Sequence, residues 1–300
     1  LIKYSILVFI GACSYGIIST IIKLAYKQGY SVKEVIGSQY VTGFLLFLVF
    51  SLLFSRKKAT WKQALFLMLT GTTTSFTGVF YGKSLETVPA SIAIILLFQF
   101  TWIGILIEAV YLKKRPDRAK LFAVLLLLIG TFMAGNLFGK EAVSLTDPGI
   151  IWGLFSAVSF SLFIFASGKV AAELPSLNRS LFMSFGAAIF LTVLFTPDFM
   201  TNGSLQEGLW KFALPLGFFG VFIPVVLFSI GTPKIGSGLA TIVGAAELPA
   251  AVLCSVFFLK ESVNLLQTAG IILILAGIAV PQLFYYFRQK KNVGQTLPMQ

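Results

Sequence analysis

Apolar residues run through this chain in long blocks and do not alternate with polar ones. Ten blocks of roughly 18 to 23 residues can be drawn, over 4–22, 35–54, 62–82, 89–111, 119–138, 149–168, 179–195, 210–230, 237–258 and 264–286. A helix needs about 20 residues to cross the hydrocarbon core of a bilayer. The polar punctuation between blocks carries helix-start signals. Ser31-Val-Lys-Glu34, Thr60-Trp-Lys-Gln63 and Ser204-Leu-Gln-Glu207 read as capping boxes. Asp117 and Asp147 read as N-caps, the latter ahead of Pro148 at a first-turn position. The pattern predicts an all-α polytopic membrane protein with ten transmembrane helices. The first block has no clear small-residue cleavage site and nine blocks follow it, so it is read as structure and not as a signal peptide. Leu1 in place of Met points to a trimmed start.

Composition narrows the chemistry. Of 300 residues, 57% are apolar, 11% are charged and none is histidine, against about 25% charged in soluble domains. Without histidine there is no His-based triad, no imidazole proton relay and no histidine-ligated metal. No GxxxxGK[ST] phosphate loop occurs, and the two cysteines, Cys13 and Cys254, lie far apart inside apolar blocks. The sequence calls for no cofactor and no metal, and it offers no clustered groups for an enzyme.

The net charge of +12 would suit an anionic partner, but in a membrane protein topology accounts for it first. Sixteen of the 23 basic residues fall on the side of the N-terminus and seven on the other. That asymmetry predicts both termini in the cytoplasm of a multi-pass protein of the cell membrane, and with the charge explained by topology no nucleic-acid partner is expected. A monomer is expected separately.

The two halves echo each other. At an offset of 147, Val88 meets Ile235, Ala93 meets Ala240, Ile95 meets Ile242, Leu112-Lys113 meets Leu259-Lys260, and Gly130 meets Gly277. Gly11 and Ser14 match Gly153 and Ser156 at 142. Five spans per copy is an odd number, so the copies enter the membrane in opposite orientations. The expected division is a first five-helix repeat over 1–145, a second over 146–291 and a cytoplasmic tail over 292–300. Inverted repeats recur in secondary transporters, with the substrate site near the midplane.

On these residues the chain resembles the EamA family of the drug/metabolite transporter superfamily. Ala240-Thr-Ile-Val-Gly-Ala-Ala-Glu-Leu-Pro249 running into Leu259-Lys-Glu-Ser262 carries the resemblance, which extends over essentially the whole chain. Three departures stand out. Leu112-Lys-Lys-Arg115 is basic where the family often has Glu, Gln99 lies near the place of Glu247, and Leu248 separates Glu247 from Pro249. The resemblance implies a secondary transporter that moves small metabolites, amino acids or related solutes, by alternating access, with export the expected direction. It also implies spans packed around a central cavity, with the fourth, fifth, ninth and tenth as a buttress.

Glu247 is the carboxyl nearest the middle of a span. Its helical neighbours Ala240, Gly244, Ala251 and Cys254 are small, and no span carries a central Lys or Arg to pair with it. A lone charge at that depth costs several kcal/mol, so the group is protonated at rest or paired with a cationic substrate or ion. Two roles follow: a substrate or proton-coupling site, or a neutral carboxyl bonding the backbone group freed by Pro249. Gln99 with Trp102 is the first-half counterpart, either a cavity wall or ordinary packing. The run Thr70-Gly-Thr-Thr-Thr-Ser-Phe-Thr-Gly78 holds six hydroxyls in nine positions and leads to Tyr81, which nominates Thr74 and Tyr81 as cavity-lining. Tyr15 and Ser156 are the candidates from the first and sixth spans. Pro224, with Gly217 and Gly220, predicts a bend, and Gly130 and Gly277, with Gly270, a packing seam. Glu108 is expected to pair with the Lys113-Lys114-Arg115 cluster at the interface. The competing functions are a scaffold or sensor and a membrane enzyme; a cavity reached by Glu247 or Gln99 separates transport from both.

Overall fold

The computed structural model describes residues 2–54, 59–88, 90–135, 147–195, 197–260 and 262–295. Its helices are α1 (Ile2–Lys27), α2 (Val32–Phe54), α3 (Trp61–Thr87), α4 (Ala90–Leu97), α5 (Phe100–Leu112), α6 (Arg118–Ala134), α7 (Pro148–Lys169), α8 (Ser176–Leu194), α9 (Trp210–Gly217), α10 (Ile223–Ile235), α11 (Ser237–Gly244), α12 (Glu247–Leu259) and α13 (Leu265–Gln295). No strand occurs among the described residues. Eight helical segments are long and apolar enough to cross a membrane: 2–27, 32–54, 92–112, 148–169, 176–194, 205–235, 237–258 and 265–285. The two remaining predicted spans are helical but fall outside that set. α6 has only 17 residues, and α3 is diluted by its hydroxyl run. Arg56, Lys57, Lys58, Lys140, the repeat boundary at 145–146 and residues 296–300 lie outside the described residues.

Two of the three predicted capping boxes form. Ser31 and Glu34 bond reciprocally at the start of α2, as do Thr60 and Gln63 at α3. Asp147 caps α7 through the Gly149 N–H, with Pro148 at the first position. Ser204 does not cap. Its hydroxyl donates instead to Glu34, which also accepts from the Asn202 amide, so one carboxylate ties the chain before α9 to the start of α2. Asp117 likewise caps nothing and accepts from the Tyr285 hydroxyl.

Two spans predicted as single helices are each interrupted, at equivalent places. The α4–α5 break falls at Phe98-Gln99 and the α11–α12 break at Ala245-Ala246. Gln99 and Ala246 have near-identical backbone angles (φ −59°, ψ −16° and φ −62°, ψ −15°). Lys113 and Lys260 both end their helices in the left-handed region, at φ 52° and 57°. Each pair is separated by the offset of 147 found in the sequence.

Close packing follows the glycines. A methyl group on Gly71 of α3 would overlap the Met183 carbonyl of α8, and one on Gly186 of α8 would overlap that of Met68. Gly43 of α2 meets Val221, and Gly217 of α9 meets Gly43 and Thr42. α6 and α13 cross where Gly130 meets Gly270 and Ile274, and where Gly277 meets the Ala123 carbonyl, so the expected seam is present. With no water to expel between helices in lipid, such backbone approach is the principal source of their adhesion.

The predicted bend is also present. Between α9 and α10 residues Phe218–Phe222 are π-helical, with Pro224 just beyond. The π register assigns the Phe219 carbonyl to the N–H that Pro224 lacks. Ser14 of α1 donates its hydroxyl to that oxygen at 2.5 Å.

Glu108 pairs with a different lysine from those expected. It is buried, pairs with Lys120 of α6 and accepts from Ser237 at the N-terminus of α11. Lys113, Lys114 and Arg115 are one turn away along the chain, but the α5–α6 turn brings Lys120 onto the carboxylate.

Candidate functional site

Glu247 is the first residue of α12. Its backbone is pinned by α1. A methyl on Gly16 would lie 2.5 Å from the Glu247 carbonyl oxygen and 2.6 Å from the Ala251 nitrogen, so only glycine lets the two helices meet there. That contact brings the preceding residue, Tyr15, to the carboxyl. Tyr81 of α3 lies in the same part of the bundle as Glu247, and Tyr40 of α2 in that of Tyr15. The Tyr40 hydroxyl donates to the Thr74 carbonyl at 3.2 Å, which fixes α2 against α3. All four side chains keep partial exposure although they lie within the bundle.

Open space adjoins α3 near these residues. Thr74, Gly78, Tyr81 and Gly82 share one side of α3 by helical spacing, and a methyl built on Gly78 or Gly82 would meet nothing within 4 Å. The opening therefore runs toward the C-terminal end of α3. The other end is sealed. Tyr15 packs edge-on to Phe160 at 5.9 Å and against Phe228 at 6.2 Å. Phe163 and Phe228 are fully buried beyond them. Below the rings Gly168 meets Thr232, and Gly231 meets Val8 and the Tyr4 carbonyl. Arg179, 1% exposed, completes the seal. Its guanidinium donates to the carbonyls of Val170 and Ser167 at the end of α7 and to Ser229 of α10 at 2.7 Å. The sequence pattern placed Arg179 among the loop charges and gave no sign of this burial.

Among the described residues Glu247 has no hydrogen-bonding or ionic partner. The break does not need it. The Ala245 carbonyl, which a continuous helix would pair with residue 249, accepts from the Leu248 N–H at 3.3 Å, and Pro249 falls in the first turn of α12, where an N–H is free in any case. The alternative in which Glu247 serves the backbone around Pro249 thus has no contact behind it.

The other nominated residues divide. Tyr15, Tyr81 and the carbonyl of Thr74 join Glu247. Gln99 and Trp102 do not: the Gln99 amide donates to the Ile95 carbonyl at 2.9 Å and accepts from the Trp102 indole at 2.8 Å, and Trp102 is 40% exposed. Ser156 is buried and bonds the Gly153 carbonyl of its own helix. The hydroxyl run of α3 is also largely self-satisfied. Thr70, Thr72, Thr73, Thr74 and Thr77 all donate to carbonyls three or four residues back, and only Ser75 crosses, to Ala187 of α8. Threonine closes such bonds readily within a helix, so its abundance did not signal a wet surface. Tyr40 was missed; its one cue was the polar pair Gln39-Tyr40 inside an apolar block.

Comparison with known proteins agrees with this architecture. Residues 2–135 and 147–281 each match the EamA-like transporter family. The chain is 26% identical over 200 residues to an uncharacterized transporter of Archaeoglobus fulgidus, covering 67% of this chain and 70% of that protein. It is 24% identical over 206 residues to the uncharacterized transporter YxxF of Bacillus subtilis, covering 68% and 65%. It is 27% identical over 235 residues to the uncharacterized inner membrane transporter YicL of Salmonella typhimurium, covering 77% and 75%. A solved crystal structure superposes with a TM-score of 0.77 at 16% identity, covering 94% of this chain and 97% of the other, which speaks to the fold.

Proposed function

Because the chain belongs to the EamA-like transporter family, a family of multi-pass membrane transporters, we propose that it is a secondary transporter whose substrate and coupling site is Glu247 with Tyr15, Tyr40 and Tyr81. The observation that carries this is an unpartnered carboxyl at a broken helix, in the same part of the bundle as Tyr15 and Tyr81, with open space beside Gly78 and Gly82 of α3. Broken helices at mid-membrane are where secondary transporters hold charged groups of their substrates. A carboxyl with phenols in its neighbourhood suits a small solute with an ammonium group, since a carboxylate meets the charge and ring faces stabilise it. Amino acids and related amines are therefore the favoured cargo, moved outward.

The spans are proposed to form two inverted five-helix repeats with both termini in the cytoplasm. Contacts that exchange under such a swap support this: α1 packs on α10 as α7 packs on α3, α2 on α9 as α8 on α3, and α1 on α12 as α7 on α5. Under that topology the sealed end is cytoplasmic, and the conformation is open to the outside. In alternating access the two repeats rock about the site, and the Glu247 carboxylate holds either a proton or the substrate's ammonium group, so that inward movement of the one drives outward movement of the other.

The test is flux in proteoliposomes with an imposed proton gradient. Glu247→Gln should abolish the response of flux to pH between about pH 5 and about pH 8 while leaving the protein folded. Unchanged, pH-dependent flux in that variant would refute the coupling role.

A further inference from the structure

A second opening lies away from the Glu247 site, on the outside of the bundle. A groove of about 390 Å³ runs between the start of α1, α11 and the later part of α13, lined by Ile2, Ile6, Phe9, Val243, Ile278 and Leu283 together with Ser5 and Gln282. Its apolar walls suit an acyl chain. Its two polar members do not fit an empty apolar groove. The Ser5 hydroxyl and the Gln282 amide oxygen are both buried, and neither has a hydrogen-bond partner; Ser5 is only 6% exposed. A buried polar atom without a partner is costly, and in hydrocarbon no water supplies one. Thr20, Ser180 and Thr232 hold orphaned hydroxyls too, but among these orphans only Ser5 and Gln282 sit together at this groove, where a bound ligand would satisfy them.

The chemistry of the orphans selects that ligand. An amide oxygen only accepts, so the ligand must donate to Gln282, while the Ser5 hydroxyl can donate to a phosphate or ester oxygen. Both residues lie within a turn or so of their span's end, at the depth where a lipid's glycerol and headgroup reside. The same end of the molecule is basic in sequence: Lys3 follows Ile2, and Arg288, Lys290 and Lys291 follow Leu283 within α13. Anionic headgroups are drawn to such clusters.

We propose that this groove is a binding site for one anionic glycerophospholipid with a hydroxyl-bearing headgroup, of the phosphatidylglycerol class. One acyl chain fills the apolar groove, a headgroup hydroxyl donates to Gln282, and a phosphate or ester oxygen accepts from Ser5.

The experiment compares the purified protein in nanodiscs of phosphatidylcholine alone with nanodiscs containing phosphatidylglycerol or phosphatidylethanolamine, read by thermal unfolding and by native mass spectrometry of retained lipid. Phosphatidylcholine lacks a donor, and phosphatidylethanolamine has a donor but no net charge. The wild type should retain phosphatidylglycerol preferentially and melt higher in it than in either other lipid. Gln282→Leu should lower that retention about five- to tenfold, the loss of one or so hydrogen bonds. It should also melt no lower than the wild type in phosphatidylcholine, because it removes an orphaned acceptor; this shows that the variant folds. Ser5→Ala should weaken retention in the same direction. Equal retention of all three lipids, retention unaffected by Gln282→Leu, or a dimer that buries the groove would overturn the proposal. None of these readouts depends on transport, so the site stands or falls independently of the role of Glu247.

Discussion

The hydroxyl of Ser14 donates to the carbonyl oxygen of Phe219, the acceptor that Pro224 leaves without its π-helical N–H. α1 thereby supplies a backbone partner that the bent helix cannot supply to itself. Ser14→Ala should therefore leave a buried carbonyl unsatisfied and cost about 1 to 2 kcal/mol. The check is thermal unfolding in detergent beside Ser19→Ala, whose hydroxyl bonds only the Gly16 carbonyl of its own helix and whose loss should cost little.

Glycines on one helix should respond in opposite ways. Gly71→Ala places a methyl on the Met183 carbonyl and should destabilise α3–α8 packing by about 2 kcal/mol or more. Gly78→Ala and Gly82→Ala meet open space and should leave stability within about 1 kcal/mol, since alanine is the better helix former. Those two substitutions should nonetheless reduce flux, because they narrow the open space beside α3. Measuring unfolding and transport on all three separates packing from passage.

Arg179→Lys should be far from conservative. The guanidinium serves three divergent carbonyls at once, and a single ammonium on a flexible stem cannot reproduce that fork. Loss of about 2 to 4 kcal/mol is expected, read as a lower melting temperature. A spin-label or fluorescence distance between the C-terminal ends of α7 and α10 should lengthen in the same variant.

Tyr81→Phe and Glu247→Gln should be energetically coupled. If the phenol and the carboxyl share one ligand, the double variant should lose less transition-state stabilisation than the sum of the singles, by about 1 kcal/mol in kcat/KM. Strict additivity would separate their roles.

Much of the fold was legible because its causes are local. Block length and capping chemistry located the helices to within a few residues, and Asp147-Pro148 marked the start of α7. The bend at Pro224 and the seam of Gly130, Gly270 and Gly277 followed from proline's missing N–H and glycine's missing side chain. The failures involve partners distant in sequence. Ser204 and Asp117 have capping chemistry, yet Glu34 and Tyr285 take them, and no spacing rule foretells which acceptor a turn will bring near. The site was half legible for the same reason. Depth singled out Glu247, and aromatic character singled out Tyr15 and Tyr81. Whether a hydroxyl is spent on its own helix, as in Thr70 to Thr77, depends on side-chain rotamers that periodicity does not fix.

The two helix breaks have a consequence for stoichiometry. At the offset of 147 the residue matching Glu247 is Phe100, wholly buried and edge-on to Phe160 at 4.8 Å. One break therefore carries an ionisable group and its mirror a buried hydrocarbon ring. Under the coupling role proposed for Glu247, this pair carries at most one proton per cycle, and exchange of that proton for one ammonium charge is electroneutral, so the gradient it sustains is bounded by the pH difference alone. Converting Phe100 to Glu would restore the symmetry of the breaks and, with it, the possibility of a second proton.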